Sequence, residues 1–198
     1  MTTTTTDQLR LTTEIAELWP PQGQWTETEY FNLPDTNRII ELSEGEIFLM
    51  APPGDRHQKV LANLYRAFHF FVTEHDLGVV RFAPLAVRLW PGKIREPDLL
   101  FVSHQHGHKI GERYYEPPDL AAEVISPGTR RTDRRDKFSE YAQAGIPEYW
   151  IVDPEHETIE VFVLDEGAYT LLVKAARAEK AYSILLSGFE VACAEVFA

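Results

Sequence analysis

An acidic residue inside an otherwise apolar strand constrains this chain more than any other sequence feature. The run from Asp119 to Ile125 is short and nearly all apolar, which is the pattern of a strand buried on both faces. Glu123 alternates onto the face that Ala121 and Ile125 share, so its carboxylate is expected inside the protein. Because burial of an unpaired carboxylate is costly, Glu123 must be ion-paired, protonated or bound to a cation.

The segment after this strand predicts a connection between parallel strands. A helix is expected from about Thr132 to Ala144, ended by Gly145 and then Pro147, and a further strand follows from Glu148 to Asp153. A helix between two strands is the usual crossover in a parallel pair. The fold class is therefore α/β with a mixed central sheet.

The rest of the chain completes one domain. Residues 1–28, rich in threonine and then proline, are expected to form a loose lead-in to a single domain over residues 29–198. The predicted elements upstream are an N-terminal hairpin over Arg38 to Met50, a helix from Arg56 to Glu74, and strands at Val79 to Phe82, Leu85 to Trp90 and Ile94 to Val102. A C-terminal β-meander is expected at Glu148 to Asp153, Thr158 to Leu164 and Tyr169 to Val173.

A second acid is expected beside Glu123. Asp98 follows Pro97 at the entrance of an apolar strand, where the missing proline N–H does no harm. Two carboxylates at matching levels of adjacent strands repel one another unless a positive charge lies between them, and a hard divalent cation is a common solution. Glu96 would share a face with Asp98 and is the residue most easily mistaken for a ligand.

The helix after Glu123 carries the densest basic patch of the chain. Its basic residues are Arg130, Arg131, Arg134, Arg135 and Lys137. On a helical wheel Lys137 lies at the edge of the buried stripe, where a lysine near two carboxylates and a metal ion could orient a water. For the arginines, a solvated face that offsets Asp133 and Asp136 is the alternative interpretation.

Charge and composition limit the partners. The formal net charge is −12, so the chain as a whole repels nucleic acid, and a nucleic-acid site would need a local basic patch or a metal ion. The single cysteine, Cys193, fits a reducing compartment and is expected in the core. With no visible secretory signal and no apolar run long enough to cross a bilayer, a cytoplasmic protein without a membrane partner is expected.

Asp98, Glu123 and Lys137 resemble the active-site residues of the PD-(D/E)XK nuclease superfamily. The sequence around them is similar to the Uma-type branch of that superfamily, whose members are restriction-endonuclease-like proteins. The most distinctive stretches are Glu123-Val-Ile-Ser-Pro, Asp136-Lys137, Tyr141-Ala142 and Ala144-Gly-Ile-Pro-Glu-Tyr-Trp-Ile-Val-Asp153. Further similarity lies in Glu41-Leu-Ser-Glu-Gly-Glu46, Met50-Ala-Pro-Pro, His57 and Ser187-Gly-Phe-Glu-Val191. The resemblance covers roughly residues 29 to 197.

The resemblance implies a restriction-endonuclease-like core of helix, three strands, helix and strand. It also implies a Mg²⁺ (or Mn²⁺) site with Asp98, Glu123 and the backbone carbonyl of Val124 as ligands, and a homodimer. The superfamily places its lysine two residues after the second acid, where this chain has Ile125, so Lys137 would replace it from the helix. Glu46 and His57 are additional site candidates. The alternative for Glu46 is an ordinary edge carboxylate, and the alternative for His57 is a helix-capping or core-edge role.

The expected function is metal-dependent hydrolysis of phosphodiester bonds, with DNA as the expected substrate and phosphate contacts from the four arginines 130, 131, 134 and 135. The first alternative is an inactive nuclease-fold protein that binds nucleic acid or protein, in which the acids would pair with Arg134 or Arg135. The second is a hydrolase of another phosphoester, since no phosphate-binding loop or DNA-reading module is visible. The histidines of His104-Gln-His106-Gly-His108 are expected to be solvated rather than to bind zinc.

Overall fold

The computed structural model describes residues 19–34 and 38–198. The α-helices of this part are α1 (Glu27–Phe31), α2 (Asp55–Glu74), α3 (Lys137–Gln143) and α4 (Cys193–Val196). The strands are β1 (Ile40–Ser43), β2 (Glu46–Leu49), β3 (Gly78–Phe82), β4 (Val87–Trp90), β5 (Lys93–Arg95), β6 (Leu99–Ser103), β7 (Leu120–Val124), β8 (Glu148–Asp153), β9 (Thr158–Asp165), β10 (Ala168–Ala175), β11 (Lys180–Tyr182) and β12 (Glu190–Ala192). No helix in these residues is both long enough and apolar enough to span a bilayer.

A six-stranded mixed sheet forms the centre of the fold, in the order β10-β9-β8-β7-β6-β3. β7 and β8 run parallel, and the helix between them is the predicted crossover, while the other neighbours are antiparallel. The order of helix, three strands, helix and strand is confirmed by α2, β3, β6, β7, α3 and β8, and the C-terminal meander by β8 to β10. The two short strands β11 and β12 pair with each other beyond it.

Both faces of the central sheet are covered. On one face α2 buries apolar residues at helical spacing, Val60, Leu61, Leu64, Phe68 and Val72. Phe68 lies edge-on to Trp150 of β8, with ring centroids 5.1 Å apart. On the other face, Tyr141 of α3 packs in a second cluster with Leu100 of β6 and Val87 of β4. Burial on both faces explains why β7 reads as an apolar run with a single acid.

A four-stranded sheet, in the order β2-β1-β5-β4, stands beside the central sheet. It contains the predicted N-terminal hairpin, β1 and β2, which pair antiparallel. The prediction of one strand from Ile94 to Val102 was wrong, because β5 ends at Arg95 in this sheet and β6 begins at Leu99 in the central one. Pro97, which has no N–H for a sheet hydrogen bond, lies in the break. Asp98 is thereby placed where the two sheets meet.

The segment ahead of β1 packs onto the hairpin. The Gly23 and Trp25 amides both donate to the Gly45 carbonyl, at 2.8 and 2.9 Å, and the Trp19 ring stacks on Trp25 at 5.5 Å. The described part of the predicted loose lead-in, residues 19–28, is therefore held in place. Residues 1–18 lie outside the described residues.

The helix predicted from Thr132 to Ala144 is not uniform. Thr132–Asp136 form a π-helical turn, and α3 continues from it without a break. Single π turns within helices frequently occur at functional sites. His104–Lys109, expected as loop, form a short 3-10 helix after β6.

Candidate functional site

A cavity of about 440 Å³ opens where the four-stranded sheet meets the central sheet. The predicted site residues that line it are His57, Asp98, Glu123, Val124 and Lys137. They come from the first turn of α2, the start of β6, the end of β7 and the start of α3. The structure therefore brings into one cavity five residues that are up to 80 positions apart in the sequence.

Strand pairing places the two acids side by side. β6 and β7 are antiparallel with Leu99 opposite Ala122, so Asp98 and Glu123 occupy the next step of the same register. The Asp98 Oδ2 atom accepts the Val124 N–H at 2.8 Å. The carboxylate of Asp98 is therefore fixed to the backbone of the strand that carries Glu123.

Lys137 is the cation that neutralises Glu123. Its Nζ lies 2.9 Å from Glu123 Oε1, 3.2 Å from Glu41 Oε1 and 3.5 Å from Asp133 Oδ1. The Tyr141 hydroxyl, one helical turn further along, donates to the same Glu123 oxygen at 2.7 Å. Lys137 and Glu123 are 4% and 3% exposed, so this is a buried ion pair, and both hydrogen bonds go to the Oε1 atom of Glu123.

Carboxylates outnumber cations in the cluster. Burial raises the pKa of Glu123 well above its usual value, and the nearby Asp133 and Asp98 carboxylates add to this, against the attraction of Lys137. Burial also raises the pKa of Asp133, although Lys137 opposes it. Two carboxyls whose ionised forms are disfavoured despite a lysine between them indicate a site that lacks positive charge.

The pKa shifts of Lys137 and Glu41 favour their charged forms, in contrast to those of Glu123 and Asp133. Burial lowers the pKa of Lys137, but the carboxylates led by Glu123 and Glu41 outweigh it and hold that pKa well above its usual value. Burial raises the pKa of Glu41, yet Lys137 and Arg95 outweigh it, so the pKa falls below its usual value. Lys137 therefore remains an ammonium ion despite its burial.

His57 lies against Asp98. Its Nε2 is 3.1 Å from Asp98 Oδ2, while its buried Nδ1 has no hydrogen-bond partner among the described residues. Burial lowers the pKa of His57, but the Asp98 carboxylate, with the Val124 carbonyl, outweighs it and raises that pKa above its usual value. The ring therefore accepts a proton more readily than an exposed histidine does.

The predicted phosphate-binding arginines do not line the cavity. Arg130 donates to Asp153 at 2.7 Å, and Arg134 lies 2.5 Å from Glu160. The other two, Arg131 and Arg135, are exposed. One alternative expected Arg134 or Arg135 to pair with the site acids. In the structure the cation paired with Glu123 is Lys137 instead.

Glu46 and Glu96 have different placements. Glu46 is exposed on β2 and outside the cavity lining. Glu96 lines the cavity, and its Oε1 accepts the Tyr30 hydroxyl at 3.3 Å and the Ile40 amide at 3.2 Å. Burial raises the pKa of Glu96 to about 7.

Sequence reasoning missed Glu41 and Asp133, two buried acids of this cluster. Asp133 carried a readable signal, because it lies four residues before Lys137 and therefore on the same helical face. Glu41 carried a weaker one, an acid between Ile40 and Leu42 in a hairpin strand. Its partners come from distant β5 and α3, so only the tertiary structure identifies them.

The ligand set at Asp98 and Glu123 fits a hard divalent ion. Mg²⁺ usually binds one or two carboxylates and keeps several waters, and carbonyl oxygens serve as further ligands for such ions. Two carboxylates from adjacent strands with the nearby Val124 carbonyl match that pattern, in a cluster that lacks positive charge. The Asp98 and Glu123 oxygens are not part of a compact group of three side-chain ligands in the described residues, so water would complete the shell.

One compact group of potential ligands lies elsewhere in the described chain. Oxygen or nitrogen atoms of Asp153, Glu155 and His156 all lie within 4.8 Å of one another. Burial raises the pKa of Asp153, but Arg130 and His156 outweigh it and lower that pKa to about 2. This group differs from the cavity acids in the direction of its shift, because the pKa of Asp153 is lowered whereas those of Glu123 and Asp133 are raised.

The histidines after β6 contact separate carboxylates. His104 Nε2 lies 3.0 Å from Asp76 Oδ1, and His106 Nδ1 lies 2.6 Å from Asp119 Oδ1. Within the described residues, no compact ligand group includes these histidines. Cys193 is fully buried, which confirms its predicted place in the core.

Comparisons with known proteins agree with this architecture. The sequence model of the Uma2 family, described as "Putative restriction endonuclease", matches residues 27–194. A crystal structure described as that of "a putative nuclease belonging to DUF820" from Anabaena variabilis ATCC 29413 has a TM-score of 0.72 at 16% identity, over 87% of this chain and 97% of that one. No curated protein matches. Since the family match spans most of the sequence, the chain belongs to the Uma2 family.

Proposed function

We propose that this chain is a metal-dependent nuclease that hydrolyses phosphodiester bonds, with DNA as its substrate. The observation that supports this most is the meeting of Asp98, Glu123 and Lys137 in one cavity, within a cluster that holds more carboxylates than cations. The family match and the fold of the DUF820 nuclease are consistent with it.

The proposed metal ligands are the two adjacent acids and one backbone oxygen. Asp98, Glu123 and the Val124 carbonyl would hold a Mg²⁺ or Mn²⁺ ion, which would lower the pKa of a bound water and offset the charge of the phosphate. His57 and the Val124 amide orient the Asp98 carboxylate through its Oδ2 atom. A ligand carboxylate held in this way would need little reorganisation when substrate arrives.

Lys137 would act as a charged donor rather than as a base. The carboxylates around it hold its pKa well above the usual value, so it retains its proton. Its ammonium group can donate to a non-bridging phosphate oxygen or orient the attacking water from the Glu123 side of the cavity. Tyr141, which donates to the same Glu123 oxygen, holds this carboxylate in place.

Nucleic acid is the proposed partner, and the charge of the chain bears on how it binds. A net charge of −12 predicts weak, salt-sensitive binding, because affinity for nucleic acid depends on cations that neutralise phosphates. The homodimer and the cytoplasmic location expected from the sequence stay predictions.

Nicking of supercoiled plasmid by the purified protein tests the proposal. Wild type is expected to nick plasmid with Mg²⁺ or Mn²⁺ and not with EDTA. Glu123→Gln should lower the rate by at least about a hundredfold, because it removes a ligand and the charge that Lys137 balances. The far-UV circular dichroism spectrum should be retained.

Glu160→Gln is the matched control, since Glu160 is also a buried, ion-paired acid but does not line the cavity. It should nick plasmid at close to the wild-type rate. Divalent-dependent nicking by Glu123→Gln at the wild-type rate would show that another site, or a contaminant, is responsible. Thermal stabilisation by Mg²⁺ that Asp98→Asn abolishes is expected of the metal-dependent enzyme; no such stabilisation and no nicking by wild type would favour the binding-protein alternative.

A further inference from the structure

One wall of the cavity is apolar and open to solvent. Leu49 and Phe82 line it with 54% and 52% of their surface exposed, and the other apolar residues of this wall are Met50, Pro52, Pro53 and Pro84. Large apolar side chains that remain exposed in a cleft usually mark a binding surface. Nothing in the proposed hydrolysis uses this wall.

Phe82 lines the same cavity as the proposed metal ligands, and its backbone is anchored beside Asp98. Phe82 ends β3 opposite Leu99, the residue after Asp98, and the next amide, that of Ala83, donates to the Asp98 carbonyl at 3.1 Å. Tyr65 of α2 packs edge-on against the ring, with centroids 4.9 Å apart. An oriented aromatic ring therefore stands at the same strand end as the acid.

The cavity offers little positive charge to a duplex. Among the described residues that line it, the basic ones are Arg38, His57 and Lys137, and Lys137 is surrounded by carboxylates. The nearby arginines 130 and 134 are paired with acids outside the cavity. Duplex binding requires a row of cations along the phosphates, whereas a single strand has fewer charges per length and also binds through base stacking.

The size of the cavity suits one nucleotide. Its volume of about 440 Å³ lies within the usual range for pockets that enclose a small molecule. Enzymes that modify a base hold it in such a pocket after it has left the base stack, so a pocket of this kind can accept an unpaired nucleotide.

We propose that this cavity binds an unpaired nucleotide of a single-stranded nucleic acid, whose base stacks on Phe82. The choice of a nucleic acid and the position of its scissile phosphate rest on the proposed function, whereas the exposed Phe82 ring in the cavity wall is what supports stacking of an unpaired base. Single-stranded DNA and RNA share the unpaired base that this wall recognises, so both are substrates to test.

Binding measurements test the proposal without cleavage. Fluorescence anisotropy with Mg²⁺ would compare phosphorothioate-linked strands of about 12 nucleotides, as DNA, as RNA and as the DNA annealed to its complement. A single strand should bind wild type more tightly than the duplex does. Phe82→Ala should raise its Kd by a factor of about 5 to 150, the effect of losing one base–aromatic stack, and Phe82→Trp should restore binding.

Phe70→Ala is the matched control, because Phe70 is 65% exposed on α2 and does not line the cavity. Its Kd should equal that of wild type. Tighter binding of the duplex, no detectable binding of either single strand, or an unchanged Kd in Phe82→Ala would overturn the proposal. If only the RNA strand binds, and Phe82→Ala weakens that binding, the result supports the binding of an unpaired base and identifies RNA as the nucleic acid.

A cleavage assay separates this proposal from the proposed function. With ordinary phosphodiester strands and Mg²⁺, wild type should cut the single strand faster than the duplex. Phe82-dependent binding without cleavage of any strand would support the base site and contradict the nuclease. Cleavage of duplex at a rate that Phe82→Ala leaves unchanged would support the nuclease and contradict the base site.

Discussion

Glu96 is a buried carboxyl at the edge of the charged cluster, and its pKa lies near neutral pH. Two donors, the Tyr30 hydroxyl and the Ile40 amide, hold its Oε1, while Oε2 has no hydrogen-bond partner among the described residues. Burial is the main reason that its pKa rises from 4.5 to about 7, and the Glu41 carboxylate adds to it. In contrast, Glu41 has Lys137 and Arg95 beside it and stays ionised.

This raised pKa predicts a pH-dependent difference between Glu96→Gln and wild type. Below 4.5 Glu96 is protonated in both the folded and unfolded states; as pH rises to about 7, only the unfolded state loses the proton, so wild type loses stability. Glutamine cannot ionise. The free energy of unfolding of Glu96→Gln should therefore gain on that of wild type across this window, by up to about 3 kcal/mol.

Urea unfolding at a series of pH values would measure this difference. The free energies of unfolding of the two proteins should differ least at the lowest pH values, where the wild-type carboxyl is uncharged, as the glutamine amide is. The low-pH points of each series therefore serve as its control. A gap that stays constant from about pH 4.5 to about pH 8 would show that Glu96 ionises equally in both states.

At the scale of elements, the π turn at Thr132–Asp136 changes which residues before α3 face the site. A regular helical wheel places Arg134 on the face of Tyr141, whereas the structure buries Asp133, Lys137 and Tyr141 and leaves Arg134 half-buried at Glu160. A π turn inserts an extra residue, so residues before it are rotated relative to those after it. Asp133 nevertheless stays beside Lys137, whereas Arg134 pairs with Glu160.

Gly78, at the start of β3, leads to a prediction about the packing of strands. Gly78 has φ +153°, and a Cβ there would lie 2.2 Å from the Val102 carbonyl oxygen of β6. Neither backbone can move without disturbing the pairing of β3 with β6, so Gly78→Ala should destabilise the protein by at least about 3 kcal/mol. Chemical denaturation measures the loss.

Gly167→Ala separates steric clash from backbone strain. Gly167 has φ +83° in the turn between β9 and β10, with nothing within 4 Å of an added Cβ, so about 1 kcal/mol is expected from strain alone. Equal losses in the two variants would contradict the close approach of β3 to β6.

At the scale of the whole molecule, ion pairs join the four-stranded sheet to α3. Glu140 of α3 accepts from Lys93 at 3.0 Å and from Arg95 Nε at 2.7 Å, and Arg95 also donates to Glu41 at 2.6 Å. Lys93 and Arg95 are both buried. The cavity lies between the parts that this network connects.

Glu140→Gln should therefore destabilise the protein by about 3 kcal/mol, because it removes the carboxylate shared by two buried cations. The midpoint of chemical denaturation would measure the loss. The matched control is Glu190→Gln, which breaks an exposed pair with Lys180 and should leave the midpoint unchanged. Equal stability of Glu140→Gln and wild type would show that the network does not support the junction.

The sequence by itself determined the parts of this protein that depend on local pattern. Periodicity and turn residues were sufficient for the hairpin, α2, the crossover and the meander, and the acid in β7 was enough to expect a charged partner. The placement of Asp98 beside Glu123 followed from the order of the strands.

Only the tertiary structure decided the break at Pro97 between two sheets, the π turn, and the choice of Lys137 rather than an arginine as the partner of Glu123. It also brought Glu41 from β1 to the cluster and left Phe82 open beside Asp98. Buried charges select their partners by distance across separate elements, and a one-dimensional pattern carries no record of those distances.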